Sequence, residues 1–142
     1  MDDTLVIDTG EDIVGIYSVA EQQYTPYRGN RIAEALERIQ RAAVVVTYNG
    51  KHADLIHLGR FAGLKNDAHF PINGKHVDMR TVCWSDEIWG SNLRSTYLKN
   101  FPSLPDVEDT YEGSNQLDTL MTLSLYQLWK RGQLRVVDGH EI

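Results

Sequence analysis

The sequence predicts one α/β domain, residues 1–142, with a mixed sheet that starts as an antiparallel strand meander, continues with parallel strands and is flanked by helices. Three observations predict this class. Three short β-rich segments come first, close enough along the chain to pair as neighbours. An uninterrupted apolar run at residues 44–48 then suits a parallel strand that is covered on both faces. Helical patterns occur before and after that run, which is typical of α/β domains.

The first half of the chain supplies the meander and the first helix. Residues 4–8 (TLVID) form an apolar run that Thr9 and Gly10 close as a turn, so we expect a central strand there. Residues 13–19 and 23–27 predict the second and third strands. Residues 30–43 carry apolar side chains at helical spacing, and Asn30 is the predicted N-cap.

The second half alternates helices with short strands. A helix is predicted at residues 51–62, and KHVDMR at residues 75–80 predicts another strand. Helical patterns follow at residues 82–89 and 91–100, and a Pro-rich acidic loop is expected at residues 101–113. The clearest helical pattern covers residues 115–131 and ends before Gly132.

Composition limits the function classes. The formal net charge is -6, which argues against a protein that wraps a long duplex, because neutralising phosphates requires a basic surface. The single cysteine, Cys83, excludes an intrachain disulfide and suits a reducing compartment. No apolar run approaches the roughly 20 residues of a membrane helix. The acidic start MDDTLVIDTG does not resemble a signal peptide. We therefore expect a cytoplasmic protein without a membrane partner.

Three aspartates stand where strands end or helices begin. Asp8 ends the first strand, Asp54 follows the buried run at residues 44–48, and Asp118 lies near the start of the last helix. Each has an ordinary explanation, since aspartates are common in turns and in the first turn of a helix. Ligands nevertheless gather at the carboxyl ends of parallel strands, and carboxylate oxygens suit Mg²⁺ or Mn²⁺. Converging carboxylates would repel one another without a cation. Together the three predict a metal site.

Three stretches resemble the motifs of the RNase H-like 3′–5′ exonuclease superfamily (the DEDD, or proofreading-exonuclease, type), and especially its short bacterial and phage members. LVID at residues 5–8 is similar to the first motif. VVTYNGKHADLIHL at residues 45–58 is similar to the second, in which an Asn-Gly turn leads to an aspartate. LDTLMTLSLYQLW at residues 117–129 is similar to the third. The likeness covers nearly the whole chain in the expected order.

The resemblance implies a metal-dependent 3′–5′ exonuclease that hydrolyses phosphodiester bonds at the ends of single-stranded DNA or RNA by a two-metal mechanism. The metal ligands fall on Asp8, Asp54 and Asp118, which would hold two Mg²⁺ or Mn²⁺ ions. Asn49 matches the turn asparagine that lies close to the bound strand end. Thr9, whose turn lets the backbone approach a ligand, is a further candidate for binding substrate. A replication or repair complex is a candidate partner.

The chain departs from this pattern at three places, one of which is Ala53, where the family usually has an aromatic residue before its second aspartate. Gly10 occupies the position of the family's first-motif glutamate, and Glu11 is the nearest acid and hence a candidate catalytic residue. The family's general base, a histidine five residues or a tyrosine four residues before the last aspartate, falls on Gly113 or Ser114. Tyr111, expected on a loop, is the closest hydroxyl and a candidate for binding substrate.

These departures leave two alternatives to an exonuclease. The first is a catalytically degenerate module of the same fold that binds nucleic acid or assembles a complex. The second is a resolvase-like endonuclease of the RNase H fold, because VIDTGEDIVGIYSV at residues 6–19 is also similar to the first hairpin of Holliday-junction resolvase relatives. The second alternative leaves the NGKHAD stretch at residues 49–54 unexplained.

Overall fold

The computed structural model describes residues 3–84 and 92–135, and five strands form one mixed sheet in the order β3-β2-β1-β4-β5. β1 pairs antiparallel with β2, and β2 with β3; β1 pairs parallel with β4, and β4 with β5. The predicted class, an antiparallel meander followed by parallel strands, is confirmed. The strands are β1 (Thr4–Gly10), β2 (Ile13–Ser18), β3 (Gln23–Arg28), β4 (Val44–Thr47) and β5 (Lys75–Asp78).

Helices lie on both faces of the sheet. Ile7, Ile16 and Val45 pack on one face with α1 and α2, whereas Val6, Val46 and Val77 pack on the other with α3, α4 and α5. The helices are α1 (Ile32–Arg41), α2 (Asp54–Phe61), α3 (Met79–Cys83), α4 (Leu93–Leu98) and α5 (Tyr111–Lys130). None of the helices in the described ranges combines the length and apolar character needed to cross a bilayer.

Alternation along β1 decides where its terminal aspartate points. Successive side chains of a strand face opposite sides of the sheet. Leu5 and Ile7 belong to the core under α1 and α2, whereas Val6 belongs to the core under α5. Asp8 has the parity of Val6 and therefore lies on the α5 side of the sheet.

Several predicted boundaries are wrong. β1 extends through Thr9 and Gly10, so these residues belong to the strand and the turn comes at residues 11–12. Asn30 is not a helix cap, because it lies inside a 3₁₀ helix, Gly29–Arg31, that precedes α1. The strand expected at residues 75–80 ends at Asp78.

α3 and α5 both begin earlier than predicted. The carboxylate of Asp78 accepts a hydrogen bond from the backbone N–H of Arg80 at 3.0 Å and caps α3. The hydroxyl of Thr110 accepts from the N–H of Gly113 at 2.9 Å, so α5 begins at Tyr111, four residues before the predicted start. The helix predicted at residues 82–89 and the start of the next fall partly on residues 85–91, outside the described part of the chain.

Candidate active site

Asp8 lies near the end of the central strand, directly opposite Gly15 of β2. The side-chain amide of Asn115, on α5, donates to Asp8 twice: to Oδ2 at 3.2 Å and to the backbone oxygen at 3.0 Å. The carboxylate is thus held between the sheet and the helix that packs on it.

Asp54 is the first residue of α2 and only 5% exposed. Its Oδ1 accepts from the hydroxyl of Thr9 at 2.6 Å and from the backbone N–H of Thr9 at 3.2 Å. The carboxylate therefore joins α2 to β1 beside Asp8. Asp54 is not a helix cap in this arrangement, because both hydrogen bonds to its carboxylate come from Thr9 of β1 and not from the N–H groups of α2.

Thr9 also fixes the tautomer of a nearby histidine. The Thr9 Oγ lies 3.2 Å from Nδ1 of His57, one turn after Asp54. A hydroxyl has one proton, and the shorter contact to Asp54 uses it, so Nδ1 of His57 is the donor in the second contact. Burial lowers the pKa of His57, and the positive charge of Arg60 lowers it further.

Asp118 lies about two turns into α5, since the helix starts at Tyr111. The interpretation that it satisfies the N-terminus of its helix is therefore wrong, because the helix dipole acts within the first turn. It is half-buried and lies about one helical turn after Asn115, on the same side of α5. Arg94 of α4 is near enough to lower its pKa, although burial has the larger effect and raises it overall.

Neighbouring aspartates act electrostatically on Asp8 and on Asp54. Burial raises the pKa of Asp8 well above 3.8, and the charges of Asp54 and Asp118 raise it further. Burial also raises the pKa of Asp54 to about 6; the Thr9 hydrogen bonds oppose this shift, while the charges of Asp78 and Asp118 add to it. Side chains that are 46 and 110 residues away from Asp8 along the sequence are therefore close enough in the fold to raise its pKa.

Asp78, which the sequence did not single out, organises the turn that leads to Asp54. Its Oδ1 accepts from the backbone N–H of Asn49 at 2.7 Å, and its Oδ2 accepts from that of Lys51 at 3.2 Å. Asn49 adopts a left-handed backbone with φ of 66°. Gly50 is required next to it, because a Cβ there would overlap the side chain of Thr47. Asp78 thus fixes the predicted substrate-binding turn.

The other candidates lie around the β1–β2 turn. Glu11 is exposed in that turn. Tyr111 is the first residue of α5, not a loop residue, and its hydroxyl accepts from the N–H of Asp12 at 3.1 Å. A Cβ at Gly10 would lie 2.8 Å from both the Tyr111 hydroxyl and Ile13 Cγ2. Tyr111 therefore fills the space that a longer side chain at position 10 would need.

The donor chemistry of the site suits a hard divalent cation. Asp8, Asp54 and Asp118 offer carboxylate oxygens, the ligands that Mg²⁺ and Mn²⁺ prefer, and a cation would offset the burial and the neighbouring negative charges that raise the pKa values of Asp8 and Asp54. In the described ranges no three Asp, Glu, His or Cys side chains are already grouped tightly enough to hold a metal ion. Binding of a cation by these three residues would therefore require their carboxylates to move closer together.

A family model described as RNase_H superfamily matches residues 7–139. The chain belongs to the RNase H superfamily. The matched range includes Asp8, Asp54 and Asp118, and the mixed sheet with flanking helices is that of an RNase H-like fold. No curated protein and no solved structure matches the chain. Membership of the RNase H superfamily indicates a nuclease that binds nucleic acid and uses divalent metals, and it leaves the type of nuclease open.

Proposed function

We propose that the chain is a metal-dependent 3′–5′ exonuclease that hydrolyses phosphodiester bonds at the ends of single-stranded DNA or RNA. Asp8, Asp54 and Asp118 would hold two Mg²⁺ or Mn²⁺ ions. Bound there, the ions would activate a water molecule and stabilise the attacking and leaving oxygens of the displacement. The observation that supports the proposal most is that β1, α2 and α5 each bring an aspartate to one end of the sheet: hydrogen bonds join Asp54 to β1 and α5 to Asp8, and the charges of Asp54 and Asp118 raise the pKa of Asp8.

The chain's own residues would prepare this site before substrate binds. Thr9 holds Asp54 against β1 through two hydrogen bonds, next to Asp8 along the strand. Asp78 ties down the backbone of Asn49 and Lys51. Such fixed geometry lowers the entropic cost of positioning a scissile phosphate.

The turn at residues 49–54 favours an exonuclease over a resolvase-like endonuclease. The resolvase likeness rests on the first hairpin and gives no role to this turn. In the structure the turn is anchored by Asp78 and ends at Asp54, whose carboxylate contacts the strand that carries Asp8. The absence of a strongly basic composition also suits a few nucleotides of single strand better than a long duplex.

One observation supports a second candidate, a non-catalytic nucleic-acid-binding or assembly module. Gly10 has no side chain, and Tyr111 and Ile13 leave no room for a carboxylate there. Glu11, the nearest acid, lies in the exposed turn. A site with three carboxylates in place of four would bind cations more weakly and could retain binding without turnover.

Degradation of 5′-labelled single-stranded DNA and RNA in Mn²⁺ or Mg²⁺ tests the proposal. We expect a ladder of products that shorten from the 3′ end, and no ladder when the 3′ end is blocked. Asp8→Asn and Asp118→Asn should abolish it, because each removes one metal ligand while changing little volume. Asp106→Asn is the matched control, since Asp106 is exposed and remote in sequence from the three motifs.

The result that contradicts the exonuclease is equally specific. Binding of labelled single strands without any degradation at millimolar Mn²⁺ favours the module. Internal cutting of branched duplexes, with single strands left intact, favours the resolvase-like endonuclease.

A further inference from the structure

Asn115 is a buried amide, 5% exposed, on the face of α5 that meets the sheet. Its Nδ2 donates to Oδ2 of Asp8 at 3.2 Å and to the backbone oxygen of Asp8 at 3.0 Å. Both protons of the amide are therefore directed to one residue. No described residue donates to the other carboxylate oxygen, Oδ1, so it is left for another ligand.

A tyrosine of the edge strand determines which way the amide points. The hydroxyl of Tyr24, on β3, lies 2.5 Å from Oδ1 of Asn115. Because a phenol hydroxyl donates readily to an amide oxygen, this contact fixes the NH₂ group on the side of Asp8. Burial raises the pKa of Tyr24, and the charges of Glu112 and Asp8 raise it further, so the hydroxyl keeps its proton at neutral pH.

Gly15 makes room for this amide. It pairs directly with Asp8 across the β1–β2 ladder, so a side chain at position 15 would stand beside the carboxylate on the same face. A Cβ at Gly15 would overlap Oδ1 of Asn115 and lie 3.0 Å from the Tyr24 ring. The glycine therefore lets α5 deliver Asn115 onto Asp8.

We propose that Asn115 is a positioning residue for Asp8: its amide, oriented by Tyr24 and admitted by Gly15, holds one carboxylate oxygen so that the other binds the divalent cation. The proposal rests on the proposed function, because it assigns Asp8 to the metal. It extends the site to β2, β3 and the first turns of α5. Partners of this kind orient metal ligands in proteins, and their loss costs about 10- to 100-fold in affinity or activity.

The test uses Asn115→Leu, which keeps the branched shape and removes the amide, Tyr24→Phe, which removes only the orienting hydroxyl, and the double variant. Gln127→Leu is the control, since Gln127 is an exposed amide on the same helix. Free Mn²⁺ is measured by electron paramagnetic resonance during titration of each protein, and cleavage is measured as a function of Mn²⁺ concentration.

We expect Asn115→Leu to raise both the Mn²⁺ dissociation constant and the Mn²⁺ concentration for half-maximal cleavage by about 10- to 100-fold. Tyr24→Phe should raise them less, and it should add nothing in the Asn115→Leu background, because it acts through the amide. A purely structural role would instead lower Tm and leave the Mn²⁺ constants of the folded protein unchanged.

Mn²⁺ constants within twofold of the wild type in Asn115→Leu, with cleavage intact, overturn the inference and leave the exonuclease standing. If Asn115→Leu does not fold, Tyr24→Phe alone decides: a Mn²⁺ dissociation constant of Tyr24→Phe within twofold of the wild type overturns the inference as well. A wild type that binds Mn²⁺ without cleaving overturns the exonuclease, and the binding titrations alone then decide the role of Asn115. A wild type that neither binds nor cleaves overturns both.

Discussion

The two helix-borne aspartates of the proposed site are held in place by different means. Asp54 stands at the first residue of α2, is almost fully buried, and is held by two hydrogen bonds from Thr9 on the strand that carries Asp8. Asp118 stands in the middle of α5, is half-buried, and has the cationic side chain of Arg94 in its electrostatic environment. The carboxylate of Asp54 is thus fixed by hydrogen bonds. That of Asp118 is positioned by its helix, and the charge of Arg94 lowers its pKa.

Because of this difference, ionising Asp54 costs the folded protein more free energy than ionising Asp118. The hydrogen bonds of Thr9 lower the pKa of Asp54, yet burial and the neighbouring carboxylates still raise it to about 6. A side chain with that surrounding destabilises the folded protein whenever it is ionised and no cation is bound. Ionised Asp118 destabilises the folded protein less, because it is only half-buried and the positive charge of Arg94 favours its ionised form.

The largest expected effect is loss of cleavage in both Asp54→Asn and Asp118→Asn, by at least about a thousandfold, since each removes a metal ligand. Stability should separate the two. In EDTA at pH 8, Asp54→Asn should have a higher Tm than the wild type, and Asp118→Asn should gain less. Equal gains, or a larger gain for Asp118→Asn, would show that the two carboxylates do not differ in burial cost.

The pH dependence of stability has a defined sign at Asp54. Its folded-state pKa, about 6, exceeds the ordinary 3.8, so the folded protein binds more protons than the unfolded chain between these values. The free energy of unfolding should therefore fall as pH rises from about 4 to about 6, and this contribution should level off above. Urea titrations in EDTA across this range measure it, and Asp54→Asn should have a smaller slope.

Thr9→Val is expected to have an effect of intermediate size on cleavage. Valine has the shape of threonine without the hydroxyl, so Asp54 keeps the backbone N–H and loses the 2.6 Å hydrogen bond. We expect cleavage at limiting Mn²⁺ to fall about 10- to 100-fold, as for other partners of metal ligands. Thr25→Val, a change of the same chemistry on β3, should leave cleavage near the wild-type rate; an equal loss there would remove the special role of Thr9.

The smallest expected effect is at Arg94. Removing its charge in Arg94→Gln takes away the one influence that lowers the pKa of Asp118, so that pKa should rise further. Because Arg94 is exposed, we expect only a two- to threefold loss of cleavage, larger at pH 6 than at pH 8. Lys99→Gln, an exposed cation at the end of α4, is the control. A loss that is independent of pH would place Arg94 in substrate binding instead.

Most of the architecture could be predicted from local patterns. The β-rich segments and the apolar run at residues 44–48, which contains β4, predict the mixed sheet, because apolar side chains in short runs favour buried strands. The start of α5 was missed because Glu112-Gly113 after a Pro-rich stretch has the composition of a loop, and only the Thr110 cap shows where the helix begins. Asp78 belongs to a strand as predicted, but its second role as the cap of α3 could not be predicted, because the contact with the N–H of Arg80 exists only in the folded chain.

The supporting residues of the site were harder to predict than the three aspartates. Aspartates at strand ends carry a recognisable signal, whereas Asn115 and Arg94 gain their importance from the packing of α5 and α4. One sequence signal for Asn115 existed: Gly15 interrupts an otherwise apolar strand, and a glycine there often marks the close approach of another segment. No comparable signal pointed to Arg94.

Thermal unfolding with and without Mn²⁺ at pH 7.5 tests most directly whether the three aspartates form one cation site. We expect saturating Mn²⁺ to raise the Tm of the wild type, because binding at a hundredfold excess over Kd adds about 3 kcal/mol to the free energy of unfolding. Asp8→Asn, Asp54→Asn and Asp118→Asn should each lose most of that gain, while Asp106→Asn keeps it. A wild type that Mn²⁺ does not stabilise, or three variants that it stabilises as much as the wild type, would contradict the account.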